Sequence, residues 1–133
     1  MGTRFDLGYL EMRGTIRHVC DGLFIGGAQP LTLTLNFCGA GTPAAAALDN
    51  VRLKGGDENA SLRAVAPHAI ASWENAIDSD TKQPAPCTPD AIRELVDELV
   101  RRKATELLNR AVIRAMNPAN FRDAPPTDPL PKG

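Results

Sequence analysis

The chain is poor in aromatic residues and in cysteine, with one Trp, one Tyr, four Phe and three Cys among 133 residues. Leu, Val, Ile and Ala must therefore fill any core, and three cysteines do not make a disulfide framework. Free thiols persist in a reducing compartment, so we expect a cytoplasmic protein. The length suits one domain, which at this size buries roughly two-thirds of the surface of its unfolded chain.

The chain also lacks an excess of either sign of charge, since it has 15 Lys and Arg residues and 16 Asp and Glu residues. A chain with this balance has no field that attracts nucleic acid or an anionic membrane. Its apolar runs are too short to cross a bilayer. The one basic run, 101–103, follows Asp97 and Glu98 and is typical of a solvated helix face. We therefore expect neither nucleic acid nor a membrane as a partner.

Catalytic and metal-binding motifs are missing too. The glycines do not have the spacing of a phosphate-binding loop, and neither a nucleophile elbow nor a zinc-protease motif occurs. The potential zinc ligands lack the paired spacing of structural sites, although His18 and Cys20 would share one face of a strand. We expect no enzyme, metal or cofactor, but a pocket that gathers His18, Cys20 and a carboxylate would revive the enzyme hypothesis. The potential ligands are His18, Cys20, Cys38, His68 and Cys87.

The N-terminal half has the pattern of strands and turns. Asp21 and Gly22 separate the runs 15–20 and 23–25, and an Asp-Gly pair in that position predicts a hairpin with a type I′ turn. Apolar and polar residues alternate over 31–37, which predicts a strand with one buried face in a half-exposed antiparallel sheet. Residues 39–47 are expected to form a loop or a short Ala-rich turn, and residues 51–54 a short strand.

The C-terminal half has the pattern of helices. Residues 60–77 predict a helix that is interrupted by Pro67, with Ile70, Trp73 and Ile77 on its buried side. Residues 89–116 predict one long amphipathic helix that begins after Thr88, whose hydroxyl can cap it. The apolar stripe of this helix is interrupted at 101–105. The helix is therefore expected either to bend near 101–103 or to project in part towards a partner.

Together these elements predict an α+β fold, in which a small antiparallel N-terminal sheet packs with two or three C-terminal helices, one of them long. Residues 1–121 would form a single domain, and the proline-rich residues 122–133 a flexible tail. We expect the first half of the long helix in the core, under Trp73 and the strand 31–37. Its second half, from Leu107 to Met116, is expected to form a partner surface.

One arrangement in the C-terminal half is similar to a known family. The stretch 68–73, which ends at Trp73, is followed by an acidic turn at 78–80, by the segment 84–89 and by a helix. This order resembles the tail assembly chaperones of long-tailed bacteriophages, in which a Trp precedes an acidic turn, a P-x-P-x-T segment and a terminal helix. The segment 117–121, which follows the helix, is also similar to the corresponding segment of some family members. The resemblance covers residues 65–121 and departs at Thr81, where Gly is usual, and Cys87 lies within the segment.

The resemblance implies a non-enzymatic protein of the host cytoplasm, which binds the long tape measure protein during tail assembly and is absent from the finished particle. Two alternatives stay open, a small phage-encoded inhibitor or adaptor and a structural protein of the virion, both acting through protein–protein binding. Self-association of the chain also stays open. The residues expected to bind the partner are Trp73, Leu107, Leu108, Val112 and Met116.

Overall fold

The computed structural model describes residues 4–123. Within them the chain forms an α+β fold, as predicted, with a three-stranded antiparallel sheet and four α-helices. The strands are β1 (Thr15–Phe24), β2 (Pro30–Asn36) and β3 (Ile70–Glu74), paired in the order β1-β2-β3, and the helices are α1 (Pro43–Leu53), α2 (Glu58–Ala69), α3 (Pro89–Arg101) and α4 (Glu106–Met116). Short 3-10 turns lie at Gly8–Leu10 and Pro118–Phe121. Apart from Arg122 and Asp123, the predicted tail 122–133 lies outside the described residues.

The central strand β2 confirms the alternation read from the sequence. Leu31, Leu33 and Leu35 are fully buried on the face that α2 and α4 cover. Thr32, on the other face, is also buried because β1 and β3 flank it on both sides. The strand therefore organises the core, with its apolar side chains beneath the helices and its hydroxyls towards the open side of the sheet.

The hairpin predicted at Asp21 and Gly22 is wrong, because β1 runs on through both residues and the chain reverses at 25–29. Gly22 has a φ of 87°, and the pairing with β2 shifts register between Val19 and Phe24. An Asp-Gly pair suits such a bulge as well as a turn, since Gly tolerates the left-handed conformation. Between Val19 and Phe24, β1 has three more residues than the facing part of β2, and this irregularity lets Cys20 and Leu23, three positions apart, both face the core.

Helix α1 replaces the loop or turn predicted at 39–47 and the strand predicted at 51–54. Thr42 caps the helix, since its Oγ1 accepts a hydrogen bond from the amide of Ala45 at 3.2 Å. Pro43 occupies the first helical position, and the alanines that follow have the highest helix propensity of any residue. Residues 51–53 are the last turn of this helix rather than a strand.

The single helix predicted over 60–77 is wrong, because helix α2 ends at Ala69 and the chain passes directly into strand β3. The helical spacing of Ile70, Trp73 and Ile77 is therefore not used. Backbone pairing with β2 decides the conformation instead, with Ile70 opposite Leu35 and Trp73 opposite Leu33. Tertiary pairing overrides a local helical pattern when a neighbouring strand offers unpaired backbone groups.

The long helix predicted over 89–116 is two helices, α3 and α4, and the break lies at the interruption seen in the apolar stripe. The capping by Thr88 is confirmed, since its Oγ1 accepts from the amide of Ala91 at 3.1 Å. At the other end of α3, Lys103 takes a φ of 56°, and the Ala104 amide donates to the Leu99 carbonyl at 2.9 Å. With the 3.1 Å bond from the Lys103 amide to the Val100 carbonyl, this is a Schellman motif, which ends a helix sharply.

Both halves of the predicted long helix belong to the core. Helix α3 buries three apolar side chains and packs mainly on α2. Helix α4 lies between α2 and the first two strands, so Leu108 and Val112 are only 0% and 3% exposed. Leu108 and Val112 are therefore buried, although residues 107–116 were expected to form a partner surface, and their part in partner binding stays a prediction. The interruption at 101–105 is a connection that returns the chain to the sheet, not the start of a projecting helix.

Candidate functional site

A groove of about 560 Å³ lies between α1, the start of α2 and α4, and we refer to it as the α1–α2–α4 groove. Its floor is apolar. Leu62, Val65 and Val112 are buried at the bottom, while Leu48 and Met116 are half-buried and line its sides. The apolar surface that the groove exposes therefore comes mainly from Leu48 and Met116, at a point where three helices approach one another.

The rim of the groove is polar and carries both signs of charge. Arg52 lies on the α1 side, Asp57 and Glu58 lie at the start of α2, and Asn109 lies on the α4 side. The carboxylate of Asp57 also caps α2, because its Oδ1 accepts from the amide of Ala60 at 2.9 Å. The lining as a whole therefore has seven polar or charged residues beside five apolar ones and Gly56.

The turn between α1 and α2 sets the position of the α1 wall. Gly55 has a φ of 74°, and a Cβ on Gly56 would lie 2.5 Å from the Cγ1 of Val51. Only a residue without a side chain fits at Gly56 without moving its neighbours, so the two glycines allow α1 to fold back closely on α2. The groove therefore depends on this glycine pair as well as on the residues that line it.

The structure brings together two of the five predicted partner residues, Val112 and Met116, which both line the groove. Leu108 is buried in the core. Leu107 is half-buried on the other side of α4, beside β1, where its Cδ2 would lie 3.6 Å from a Cβ atom added to Gly22. Sequence reasoning missed the contribution of α1 and α2. The available signal was the four-residue helical spacing of Leu48 and Arg52, which needed α1 to be recognised as a helix.

Trp73, the remaining predicted partner residue, holds the segment that leads to α3. Its indole Nε1 donates to the carbonyl of Ala85 at 2.8 Å, and the Ala85 amide donates to the carbonyl of Ala76 at 2.7 Å. The indole is half-buried against the core. Trp73 therefore positions the approach to α3 and lies outside the groove lining.

The acidic turn at 78–80, which follows Trp73, is stabilised by the side chain of its first residue, Asp78. The Asp78 carboxylate accepts hydrogen bonds from the amides of Thr81 and Asp80, at 3.1 and 2.8 Å, which lower the pKa of that carboxyl. The left-handed residue of the turn is Lys82, with a φ of 60°. The residues that carry the family resemblance thus fix the connection between β3 and α3, which is a structural task.

The potential nucleophiles and metal ligands His18, Cys20 and Cys38 lie outside the groove lining. Burial raises the pKa of Cys20 and Cys38 to about 11, so both thiols are protonated at neutral pH and are weak nucleophiles. The His18 Nδ1 lies 3.3 Å from the guanidinium of Arg114; burial and that guanidinium lower the His18 pKa, while Asp21 opposes them. Among residues 4–123, no three His, Cys, Asp or Glu side chains gather in a way that would hold a metal ion.

The groove has the size of a ligand-binding pocket and a lining of mixed polarity. Its volume falls within the range of roughly 300–1,000 Å³ seen for ligand pockets. No helix within the described part of the chain is long and apolar enough to cross a membrane. No family model, curated protein or solved structure matched the chain, so the geometry of the groove is what bears on function.

Proposed function

We propose that this chain is a tail assembly chaperone-like protein, and that its α1–α2–α4 groove binds an amphipathic helical segment of a tape measure protein. The observation that carries the proposal is the groove itself, which combines apolar side chains at its bottom and sides with a rim of polar and charged residues. The resemblance of residues 65–121 to tail assembly chaperones supplies the identity of the partner. The role is non-enzymatic and needs no cofactor.

The floor suits the apolar face of a helix. A helix that enters a groove presents side chains at positions i, i+3 or i+4, and i+7 along one side. Leu48 and Met116 come from opposite walls, so they can contact both flanks of such a ridge. Burial of each large apolar side chain stabilises a complex by about 1.5–3 kcal/mol before the cost of association.

The rim suits the polar flanks of the same helix. Arg52 on α1 and Glu58 at the start of α2 give the groove both signs of charge, which can pair with acidic and basic residues beside the apolar ridge. A tape measure protein is long and helical, and it exposes apolar surface before the tail assembles around it. Coverage of those segments by a domain with a charged exterior would keep them from aggregating.

The test uses labelled peptides that tile the tape measure protein encoded in the same genome. Fluorescence anisotropy with the purified full chain is expected to show saturable binding to at least one amphipathic peptide. The variants Leu48→Glu and Met116→Glu place a charge on the apolar walls, and each is expected to raise Kd about tenfold or more.

The matched control is Leu53→Glu, because Leu53 lies on the same helix as Leu48 but is 87% exposed and does not line the groove. This variant is expected to bind as tightly as the wild type. The proposal fails if no tape measure peptide binds, or if the two groove variants bind as tightly as the Leu53 control while remaining folded by circular dichroism.

A further inference from the structure

A second depression lies between α2 and the first turns of α3, and we name it the α2–α3 crevice. Its volume is about 410 Å³, and it shares no lining residue with the α1–α2–α4 groove. On the α2 side the lining includes Arg63 and His68, and on the α3 side it consists of Pro89 and Arg93. Helix α2 therefore contributes one face to the groove and another to this crevice.

The polar side chains that line the crevice are all nitrogen donors. Arg63, His68 and Arg93 line it together with alanines and prolines, and none of the lining residues is acidic. A guanidinium has five N–H donors and no acceptor, and an imidazole has at least one N–H in either protonation state. The lining therefore suits a ligand that accepts hydrogen bonds.

Each guanidinium is oriented by a carboxylate that lies outside the lining. Arg63 donates through its Nε to the Oδ1 of Asp97 at 3.0 Å. Arg93 donates through its Nη1 to the Oδ1 of Asp90 at 2.8 Å. Within residues 4–123 neither arginine side chain makes another hydrogen bond. Most of the donors of both forks therefore remain available to a ligand.

The positions of the two ion pairs bring the guanidiniums to the same part of the crevice. Arg93 and Asp97 are four residues apart on α3, so they are neighbours on the surface of that helix. Arg63 reaches Asp97 from α2. The two forks therefore lie side by side, on the two walls of one depression.

We propose that the α2–α3 crevice binds a small molecule through an oxyanion group, either a phosphate or a carboxylate. Two parallel N–H groups of a planar guanidinium match two oxygens of either group. The crevice is larger than an oxyanion alone, so the alanines and prolines of its lining can contact the rest of the ligand. Asp90 and Asp97 balance the two positive charges, so directed hydrogen bonds supply the attraction, and we expect a Kd of about 1–10 mM for the free anion.

The test is a titration of the nitrogen-15-labelled full chain with sodium phosphate and, separately, with sodium acetate. Sodium chloride keeps the ionic strength constant, so that screening does not change. Backbone amide signals of residues 63–68 and 90–94 are expected to shift saturably with at least one of the two anions. Saturation by phosphate alone identifies a phosphate site, saturation by acetate alone a carboxylate site, and saturation by both a site for either group.

The double variant Arg63→Gln/Arg93→Gln removes both forks and is expected to raise the Kd about tenfold or more. The variant Arg63→Lys/Arg93→Lys keeps both charges but loses the planar forks, so it is also expected to bind more weakly.

The matched control is Arg101→Gln/Arg102→Gln. These two arginines also pair with a carboxylate, that of Glu98, but they lie outside the crevice lining. The control loses the same net charge as Arg63→Gln/Arg93→Gln and is expected to bind each anion as the wild type does.

Two outcomes overturn the inference: shifts that do not saturate with either anion, or the same Kd in Arg63→Gln/Arg93→Gln as in the control. The Lys variant provides the same comparison should circular dichroism show that the Gln variant is unfolded. The inference goes beyond the proposed function and is independent of it, because the crevice variants leave every residue of the α1–α2–α4 groove in place.

Discussion

Replacement of Lys103 with glycine should stabilise the fold. Lys103 follows the C-cap of α3 in the left-handed region, with a φ of 56°. A residue with a side chain costs about 1–2 kcal/mol in that region, because its Cβ approaches the following carbonyl oxygen. Glycine removes this strain but loses more backbone entropy on folding, at a cost of about 0.5–1 kcal/mol. The expected net gain is about 0.5–1 kcal/mol.

Urea unfolding followed by far-UV circular dichroism measures the gain. The midpoint should rise with an unchanged m value, because the substitution leaves the buried surface the same. For a domain of this size the gain corresponds to an increase in Tm of about 2–4 °C. The bonds from Lys103 and Ala104 to the carbonyls of Val100 and Leu99 persist in the variant, since they use backbone atoms.

The matched control is Lys54→Gly. Lys54 is the exposed C-cap residue of α1, one position closer to its helix than Lys103 is to α3, and its φ of −89° is ordinary, so glycine relieves no strain there and should be neutral or destabilising. A Lys103→Gly variant that loses as much stability as Lys54→Gly would refute the reasoning. That result would indicate a helix that runs continuously through residue 103.

Three further predictions test the packing, the pH dependence and the connection to α3. Leu108→Ala should lose about 2–5 kcal/mol of unfolding free energy, whereas Ile113→Ala on the exposed side of α4 should stay within about 0.5 kcal/mol; equal losses would place Leu108 outside the core. The pKa of His18 is lowered in the fold, so the unfolded chain binds the proton more readily, and stability should fall as the pH drops below the ordinary value of 6.5. Urea midpoints measured against pH should show this slope in the wild type and less of it in His18→Gln; identical slopes would contradict it. Trp73→Phe removes the hydrogen bond to the Ala85 carbonyl and should lower the free energy of unfolding by about 1 kcal/mol. Hydrogen exchange at the Ala85 amide should become faster, and unchanged exchange there would count against this role of the indole.

The parts of the fold that follow from local chemistry were predictable from the sequence. The alternation over 31–37 predicted β2, and Thr88 with Pro89 predicted the start of α3, because each pattern depends on neighbours within a few residues. The break at Lys103 was visible only as an interrupted apolar stripe. Lysine gives no sign that its backbone will take the left-handed conformation, which glycine usually marks.

The parts that depend on distant contacts were not predictable. Ile70 and Trp73 have helical spacing, but β2 pairs with them and makes a strand. Helix α1 lacks a clear apolar stripe, because four of its eleven residues are alanines. The groove combines Leu48 with Met116, residues 68 positions apart, so its composition becomes visible only when the packing of α1 and α4 around α2 is known.

Helix α1 is the wall of the groove with the least buried surface, and this makes it the most compliant part of the site. Ala44 is its one buried residue among those described, whereas α2 buries Leu62, Val65 and two alanines. Amide protons of α1 should therefore exchange through small local openings that leave the core intact. For the proposed binding of a helix, a wall that yields in this way would let the groove accept segments of different width, so recognition would tolerate variation in the sequence of the bound helix.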